Sequence, residues 1–65
     1  MAKNHNKLIR DALTMHDVRQ WELADRLGLH PSSLSIKLRY ELPPQEQEAM
    51  IQVIKEIEKE NAQDE

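Results

Sequence analysis

The feature that most constrains the fold of this sequence is the three-residue spacing between its only glycine, Gly28, and Pro31. Gly28 follows Leu23, Ala24 and Leu27, which recur at the spacing of one helical face. Glycine ends helices because it adopts a positive φ without a Cβ penalty, and proline suits a first helical turn because its missing N–H is not needed there. The spacing therefore predicts two short helices, joined by a tight turn near residues 28–30, with the second helix over about 31–39.

The second predicted helix has two different faces. Leu34 and Leu38 are four residues apart and are expected to point inward, and the small side chain of Ala24 would let the helices cross closely. Leu29, in the turn, is expected to point back toward the core. The outward face would carry Ser32, Ile36 and Arg39, flanked by Ser33, Ser35 and Lys37. Arginine can pair with guanine and hydroxyls can contact either base, so this face is suited to a DNA major groove.

The stretch from Gln20 to Leu38 resembles the helix-turn-helix of the Cro and phage-repressor (XRE-like) family. In that family's pattern a first helix begins near a glutamine, carries a leucine-alanine pair, and ends in leucine-glycine-hydrophobic before the recognition helix. Seven residues fall on those positions, namely Gln20, Leu23, Ala24, Leu27, Gly28, Leu29 and Leu34. On helix order alone, the resemblance extends loosely from Leu8 to Ile57.

The resemblance implies a compact all-α bundle of four or five helices, lambda-repressor-like, over residues 6–60. It also implies sequence-specific binding of double-stranded DNA by a small bacterial or phage transcriptional regulator, without a cofactor. Bases would be contacted by Ser32, Ser33, Ile36 and Arg39, and the DNA backbone by Arg19, Gln20, His30, Ser35 and Lys37. The family geometry further leads us to expect a homodimer on two half-sites about 34 Å apart.

The sequence departs from the family pattern at Ile36 and after Arg39. Relatives often place a polar or basic residue at the position of Ile36 and an apolar residue at the position of Lys37. They also commonly have a glycine turn after the recognition helix, where this chain has Arg39-Tyr40-Glu41-Leu42-Pro43-Pro44. Three interpretations of Ile36 are open: contact with thymine methyl groups, the anchor of a protein–protein contact, or partial burial in the core.

Two further helices are predicted around this pair. The first runs over about residues 6–13, capped by Asn4 or Asn6, with an apolar stripe of Leu8, Ile9, Ala12 and Leu13, and Met15 and Val18 tucked against the core. The last runs over about 44–60, with a stripe of Met50, Ile51, Val53, Ile54 and Ile57. Val53 and Ile57 are candidates for a dimer contact, although a simple packing helix is also open. Residues 1–5 are predicted to be a flexible arm, and 61–65 a disordered tail.

Charge is unevenly distributed along the chain. Residues 1–40 hold seven Lys and Arg against four Asp and Glu, whereas residues 41–65 hold two against eight, for a net charge of −3. A basic front and an acidic back would orient the molecule in the field of DNA. The alternative is a solvated acidic last helix.

Trp21, His30 and His16 are further candidates for a functional role, and each also has a structural interpretation. Trp21 is expected either to pack over the first and last helices or to donate its indole N–H to a phosphate, at a helix start that itself offers unpaired N–H groups. His30 would bond a phosphate or cap the helix that follows. His16 lies beside Asp17 in a predicted loop, but the pair lacks a nucleophile and the spacing of metal ligands, so we expect neither catalysis nor a metal site.

Composition limits the remaining function classes. The sequence contains no cysteine, which excludes a disulfide scaffold, and no apolar segment of the roughly 20 residues that span a bilayer. We therefore expect a cytoplasmic, nucleoid-associated protein of a bacterial cell or phage-infected host, with no membrane partner. The competing function is a protein-interaction module, such as an antirepressor, inhibitor or adaptor, that keeps the same fold. An enzyme is not expected, because no nucleophile–base pair or phosphate-binding loop is present.

Overall fold

The computed structural model describes residues 6–63, which form four helices and no strand. The helices are α1 (Lys7–Met15), α2 (Gln20–Arg26), α3 (Pro31–Lys37) and α4 (Pro44–Gln63). The all-α prediction is confirmed, with four helices and not five. The predicted arm at 1–5 lies outside the described residues. No helix in the described part has the length and apolar character needed to cross a membrane.

The core lies where the four helices meet. Leu23, Ala24, Leu34 and Ile54 are completely shielded from solvent, as is Ile9 of α1. The other buried apolar side chains are Ala12, Val18, Leu38, Leu42, Met50 and Ile57. The inward positions predicted for Leu34 and Leu38 are thus confirmed.

The ends of α1 and α2 share one backbone geometry. After α2, Gly28 has a φ of +73°, the Leu29 N donates to the Ala24 O at 2.8 Å, and the Gly28 N donates to the Asp25 O at 3.0 Å. After α1, Asp17 takes the equivalent position with a φ of +53°. These bonds satisfy carbonyls that a helix end leaves unpaired. The predicted role of Gly28 as a helix stop is confirmed.

Three predicted apolar contacts are wrong. Leu8 is 63% exposed and Met15 is 75% exposed, so the stripe of α1 is narrower than expected and is formed by Ile9 and Ala12, with Leu13 partly buried. Leu29 is at the boundary of exposure, because the turn bonds its backbone to α2 and leaves its side chain outside. The helix ends also differ from the predicted ones, since α1 continues to Met15, α3 stops at Lys37, and α4 reaches Gln63 in the segment predicted as a tail.

Asn4 or Asn6 was predicted to cap α1. Asn4 lies outside the described residues, and the side chain of Asn6 does not cap the helix. Asn6 lies at the N-terminal boundary of α1 with a φ of 58°, and its side chain makes no capping bond. It is instead fully buried, and it bonds backbone groups of the segment between α3 and α4. Within the described chain, every buried polar side-chain atom has a hydrogen-bond partner.

Candidate nucleic-acid interface

The exposed side of α3 is set by the two leucines that anchor the helix. Leu34 is fully buried and Leu38, at the end of the helix, is 1% exposed. The helix repeats every 3.6 residues, so the positions between these anchors face solvent. The predicted site residues on or beside α3 are indeed exposed, namely His30, Ser32, Ser33, Ser35, Ile36, Lys37 and Arg39. We call this group the α3 face.

Ile36 is 55% exposed. The interpretation that placed it partly in the core is therefore wrong. Its neighbours on the α3 face include Ser32, one turn earlier, and Ser33. An apolar side chain surrounded by hydroxyls can contact a thymine methyl group, and it can equally anchor a protein contact.

Arg39 lies beyond the helix that was expected to carry it. Because α3 ends at Lys37, Arg39 belongs to a turn in which its N donates to the Ile36 O at 3.1 Å and the Tyr40 N donates to the Lys37 O at 3.4 Å. Tyr40, beside it, is 71% exposed and was not among the predicted site residues. The absence of a glycine after Arg39 was the sequence signal that this exit would differ from the family pattern.

His30 caps α3. Its Nδ1 accepts a hydrogen bond from the Ser32 N at 3.1 Å. A ring nitrogen that accepts cannot carry a proton, so in neutral His30 the proton is on Nε2. The exposed ring therefore presents an N–H donor toward solvent while its other nitrogen holds the start of the helix. Of the two interpretations given to His30, the capping role is seen directly.

The start of α2 is not an open anion site. The Glu22 carboxylate accepts a hydrogen bond from the Arg19 N at 2.8 Å, and its other oxygen accepts from the Asn61 Nδ2 at 3.3 Å. An acidic side chain thus occupies the end of the helix where an incoming phosphate was expected to bind. Arg19, just before the helix, is exposed, and Gln20, its first residue, is half-buried.

Trp21, the second residue of α2, is 60% exposed. The interpretation in which it packs over the first and last helices is wrong, because the core side of α2 is formed by Leu23, Ala24 and Leu27. Its position near Arg19 and Gln20 in the chain leaves the indole accessible to a ligand.

Ion pairs link the basic first half of the chain to the acidic last helix. Acidic side chains of α4 reach back to basic side chains of the first half: Glu46 pairs with Lys37 at 2.9 Å, and Glu60 pairs with Arg26. The carboxylate of Glu60 raises the pKa of the Arg26 guanidinium. Lys37 therefore has a carboxylate partner at the edge of the α3 face.

His16 also pairs with α4, through its Nδ1 and the Glu58 Oε1 at 2.8 Å. Its role in the described structure is a link between the end of α1 and the second half of α4. Among residues 6–63, no three His, Asp or Glu side chains converge into a possible metal site.

The two candidate dimer residues are placed differently. Ile57 is 4% exposed and belongs to the chain's own core, so it has no surface to offer a partner. Val53 is half-buried and packs against that core. The dimer contact predicted for Ile57 is therefore wrong, because α4 turns this side chain into the bundle.

The α3 face thus brings together most of the predicted DNA-contacting residues, whereas Arg19 precedes α2 and Gln20 is its first residue. No family model, curated protein or solved structure matches the chain.

Proposed function

We propose that this protein binds double-stranded DNA in a sequence-specific manner through the α3 face, as a small transcriptional regulator of the helix-turn-helix type. The observation that carries the proposal is the combination of Ser32, Ser33 and Ile36 exposed on one short helix whose opposite side is buried through Leu34. Hydroxyls and an apolar group at this spacing match the acceptors and methyl groups of base edges in the major groove.

The dimensions of α3 support this proposal. Its seven residues form about two helical turns, and an α-helix with its side chains is about 10–12 Å across, which fits the major groove, about 12 Å wide. Ala24, fully buried on α2, lets α3 pack closely, so that α3 is held on a rigid support. Base contacts are assigned to Ser32, Ser33, Ile36 and Arg39, with Arg39 entering from the turn and not from the helix.

Backbone contacts are assigned to Arg19, Gln20, His30, Ser35 and Lys37. The Nε2–H of His30 and the guanidinium of Arg19 can each donate to a phosphate oxygen. Lys37 is already paired with Glu46, so it must exchange that carboxylate for a phosphate. Because few cations are available, we expect affinity to depend on salt through a small number of phosphate contacts.

The proposal is tested by selection of bound sequences from a pool of random duplexes, followed by titration of the selected duplex at several salt concentrations. We expect an enriched motif, and an affinity that falls linearly with salt on logarithmic axes, by about 0.9 in slope for each phosphate contact. Arg39→Ala should relax the preference at one base pair, whereas Lys55→Ala, on α4, should leave both motif and slope unchanged. Failure to enrich any motif would remove the proposal.

A second candidate function is supported by the pairing of Lys37 with Glu46 and by the exposure of Ile36, Trp21 and Tyr40. Partly neutralised cations beside exposed aromatic and apolar side chains are typical of a protein-binding surface, such as that of an antirepressor, inhibitor or adaptor. This candidate predicts feeble, sequence-independent retention on DNA at low salt. It also predicts that Ile36→Lys abolishes binding of a protein partner. If the protein instead binds DNA, the same variant should keep the salt slope of DNA binding or increase the affinity through the added positive charge.

A further inference from the structure

A groove lies between the starts of α1 and α4. Its volume is about 480 Å³, and its apolar lining is provided by Leu8, Pro44 and Ile51. Leu8 is 63% exposed, and Ile51 is only half-buried because the core side of α4 is formed by Met50 and Ile54. These apolar side chains therefore keep surface that a ligand can contact. We call this site the α1–α4 groove.

The charged residues of the α1–α4 groove leave it acidic. Lys7, on the α1 side, pairs with Asp11 at 2.9 Å, so its charge is balanced within its own helix. Glu41 and Glu48, on the opposite side, contribute two carboxylates to the lining. An apolar surface thus lies beside an excess of negative charge.

The two carboxylates are held differently. Glu41 accepts hydrogen bonds from the Asn6 N at 3.0 Å and from the buried Gln47 Nε2 at 2.7 Å, which fix it on the groove wall. Glu48 is exposed on the first turns of α4 and is not among the carboxylates that pair with a cation within residues 6–63. Glu48 is therefore available to a cation from another molecule.

The charge of the groove selects the kind of ligand that fits it. Carboxylates repel the phosphates of a nucleic acid and of an anionic lipid surface. They attract ammonium and guanidinium groups, and the apolar lining suits an apolar side chain. The matching ligand therefore combines a cation with an apolar group.

The size of the groove limits how much of a partner it can hold. Its volume falls within the range of about 300–1,000 Å³ that is typical of small binding sites. A standard interface between two folded proteins takes about 800 Å² from each of them, whereas this groove accommodates a few side chains. A short peptide segment fits it better than a folded surface.

We propose that the α1–α4 groove binds a short basic segment of another protein. An apolar side chain of that segment contacts Leu8, Pro44 and Ile51, and a neighbouring Lys or Arg faces Glu48. No residue of the α3 face lines the groove, so the α3 face stays exposed while the groove is occupied. The inference goes beyond the proposed function and does not depend on it.

The test begins with selection of binders to the full chain from a display library of random short peptides, in the absence of DNA. We expect the enriched peptides to share an apolar residue flanked by Lys or Arg. The affinity of an enriched synthetic peptide, measured by fluorescence anisotropy, should fall as salt rises, since its attraction to exposed carboxylates is screened.

A pair of substitutions locates the bound peptide. Leu8→Glu should weaken binding at least about tenfold, because it places a carboxylate in the apolar contact. Ile36→Glu makes the same kind of change at a similarly exposed residue of the α3 face, and it should leave the affinity unchanged. Far-ultraviolet circular dichroism checks that both variants remain folded. A peptide that loses affinity through Ile36→Glu and not through Leu8→Glu would lie on the α3 face and would overturn the proposal.

A second pair of substitutions tests the charge. Glu48→Lys should weaken binding of the enriched peptide, and selection on this variant should lose the preference for Lys and Arg. Glu56→Lys makes the same change at an exposed position of α4 that does not line the groove, and it should have little effect. Equal losses through both variants would assign binding to net charge alone and overturn the proposal, as would a selection that enriches no peptide or only peptides without Lys and Arg. Because DNA is absent throughout, failure of DNA binding would be a separate result.

Discussion

The side chain of Asn6 holds the backbone of Leu42 in place, through a hydrogen bond of 2.8 Å from the Leu42 N to the Asn6 Oδ1. The Nδ2 of the same amide donates to the Leu38 O at 3.1 Å and to the Tyr40 O at 2.8 Å. One buried residue at the start of α1 therefore fixes the segment that leaves α3. This segment includes Arg39, so the network also sets where the proposed base-contacting arginine begins.

Gln47 completes the arrangement from α4. It is 7% exposed, and its Nε2 donates to the Leu42 O and to the Glu41 Oε2, each at 2.7 Å. Glu41 in turn accepts from the Asn6 N at 3.0 Å. The segment between α3 and α4 is fastened by this polar network together with the buried side chains of Leu38 and Leu42.

We predict that Asn6→Ala severely destabilises the protein. The substitution leaves two buried backbone groups, the Leu38 O and the Leu42 N, without their partner, at a cost of about 1–3 kcal/mol each, and also removes the bond to the partly buried Tyr40 O. A domain of this size is expected to have only about 3–5 kcal/mol to lose. Urea denaturation should show a largely unfolded chain. Asn61→Ala is the control, because Asn61 is exposed and makes one bond of 3.3 Å to Glu22, and its effect should stay within about 0.5 kcal/mol.

Gly28→Ala should lower the free energy of unfolding by about 1–2 kcal/mol, because an L-residue is strained at a positive φ. Open space surrounds the position of the added Cβ, so the cost is conformational and not a clash. Gly28→Asn should recover part of the loss, since asparagine tolerates this conformation better. Equal stabilities of Gly28→Ala and wild type in urea would show that the turn does not need its left-handed residue.

Leu34 and Ile36 provide a matched pair on one helix. Leu34→Ala should cost about 2–5 kcal/mol because the side chain is completely buried. Ile36→Ala should change the free energy of unfolding by less than about 0.5 kcal/mol. It should, however, alter which DNA sequence the protein prefers. Thermal unfolding of both variants measures the first difference, and comparable destabilisation by the two would contradict the orientation of α3.

Much of the α2–α3 pair was predictable because its signals are local. Gly28, Pro31 and the spacing of Leu34 and Leu38 each act within one or two helical turns, so the sequence pattern determines them directly. The exposure of Ile36 followed from the same periodicity. The end of α3 at Lys37 was not predicted, because leucine at position 38 fits both a last helical turn and the capping position that it occupies.

The remaining features depend on contacts between distant parts of the chain. The burial of Asn6 requires a segment more than thirty residues away, and the pairing of Lys37 with Glu46 requires α4 to fold back beside α3. Periodicity cannot show either contact. The same holds for Leu8, which has the right spacing for an apolar stripe but lies where α4 does not cover it.

Glu46→Gln should increase the affinity for DNA. It removes the carboxylate that pairs with Lys37 and so leaves that ammonium available to a phosphate. A salt titration should then give a slope steeper by up to about 0.9, the contribution of one phosphate contact. Glu56→Gln makes the same change in charge on α4 away from Lys37, and a gain of equal size in this control would assign the effect to net charge alone.

The most direct test of the central claim is a nuclear magnetic resonance titration of isotopically labelled protein with the selected duplex, following the backbone amides. We predict that the largest shifts fall on the amide resonances of residues 30–40 and of the start of α2, while the resonances of Leu8, Glu48 and Ile51 do not shift at fixed protein concentration. Shifts that concentrate on α1 and α4, or that show no preference for the selected duplex over an unrelated one, would contradict DNA recognition by the α3 face.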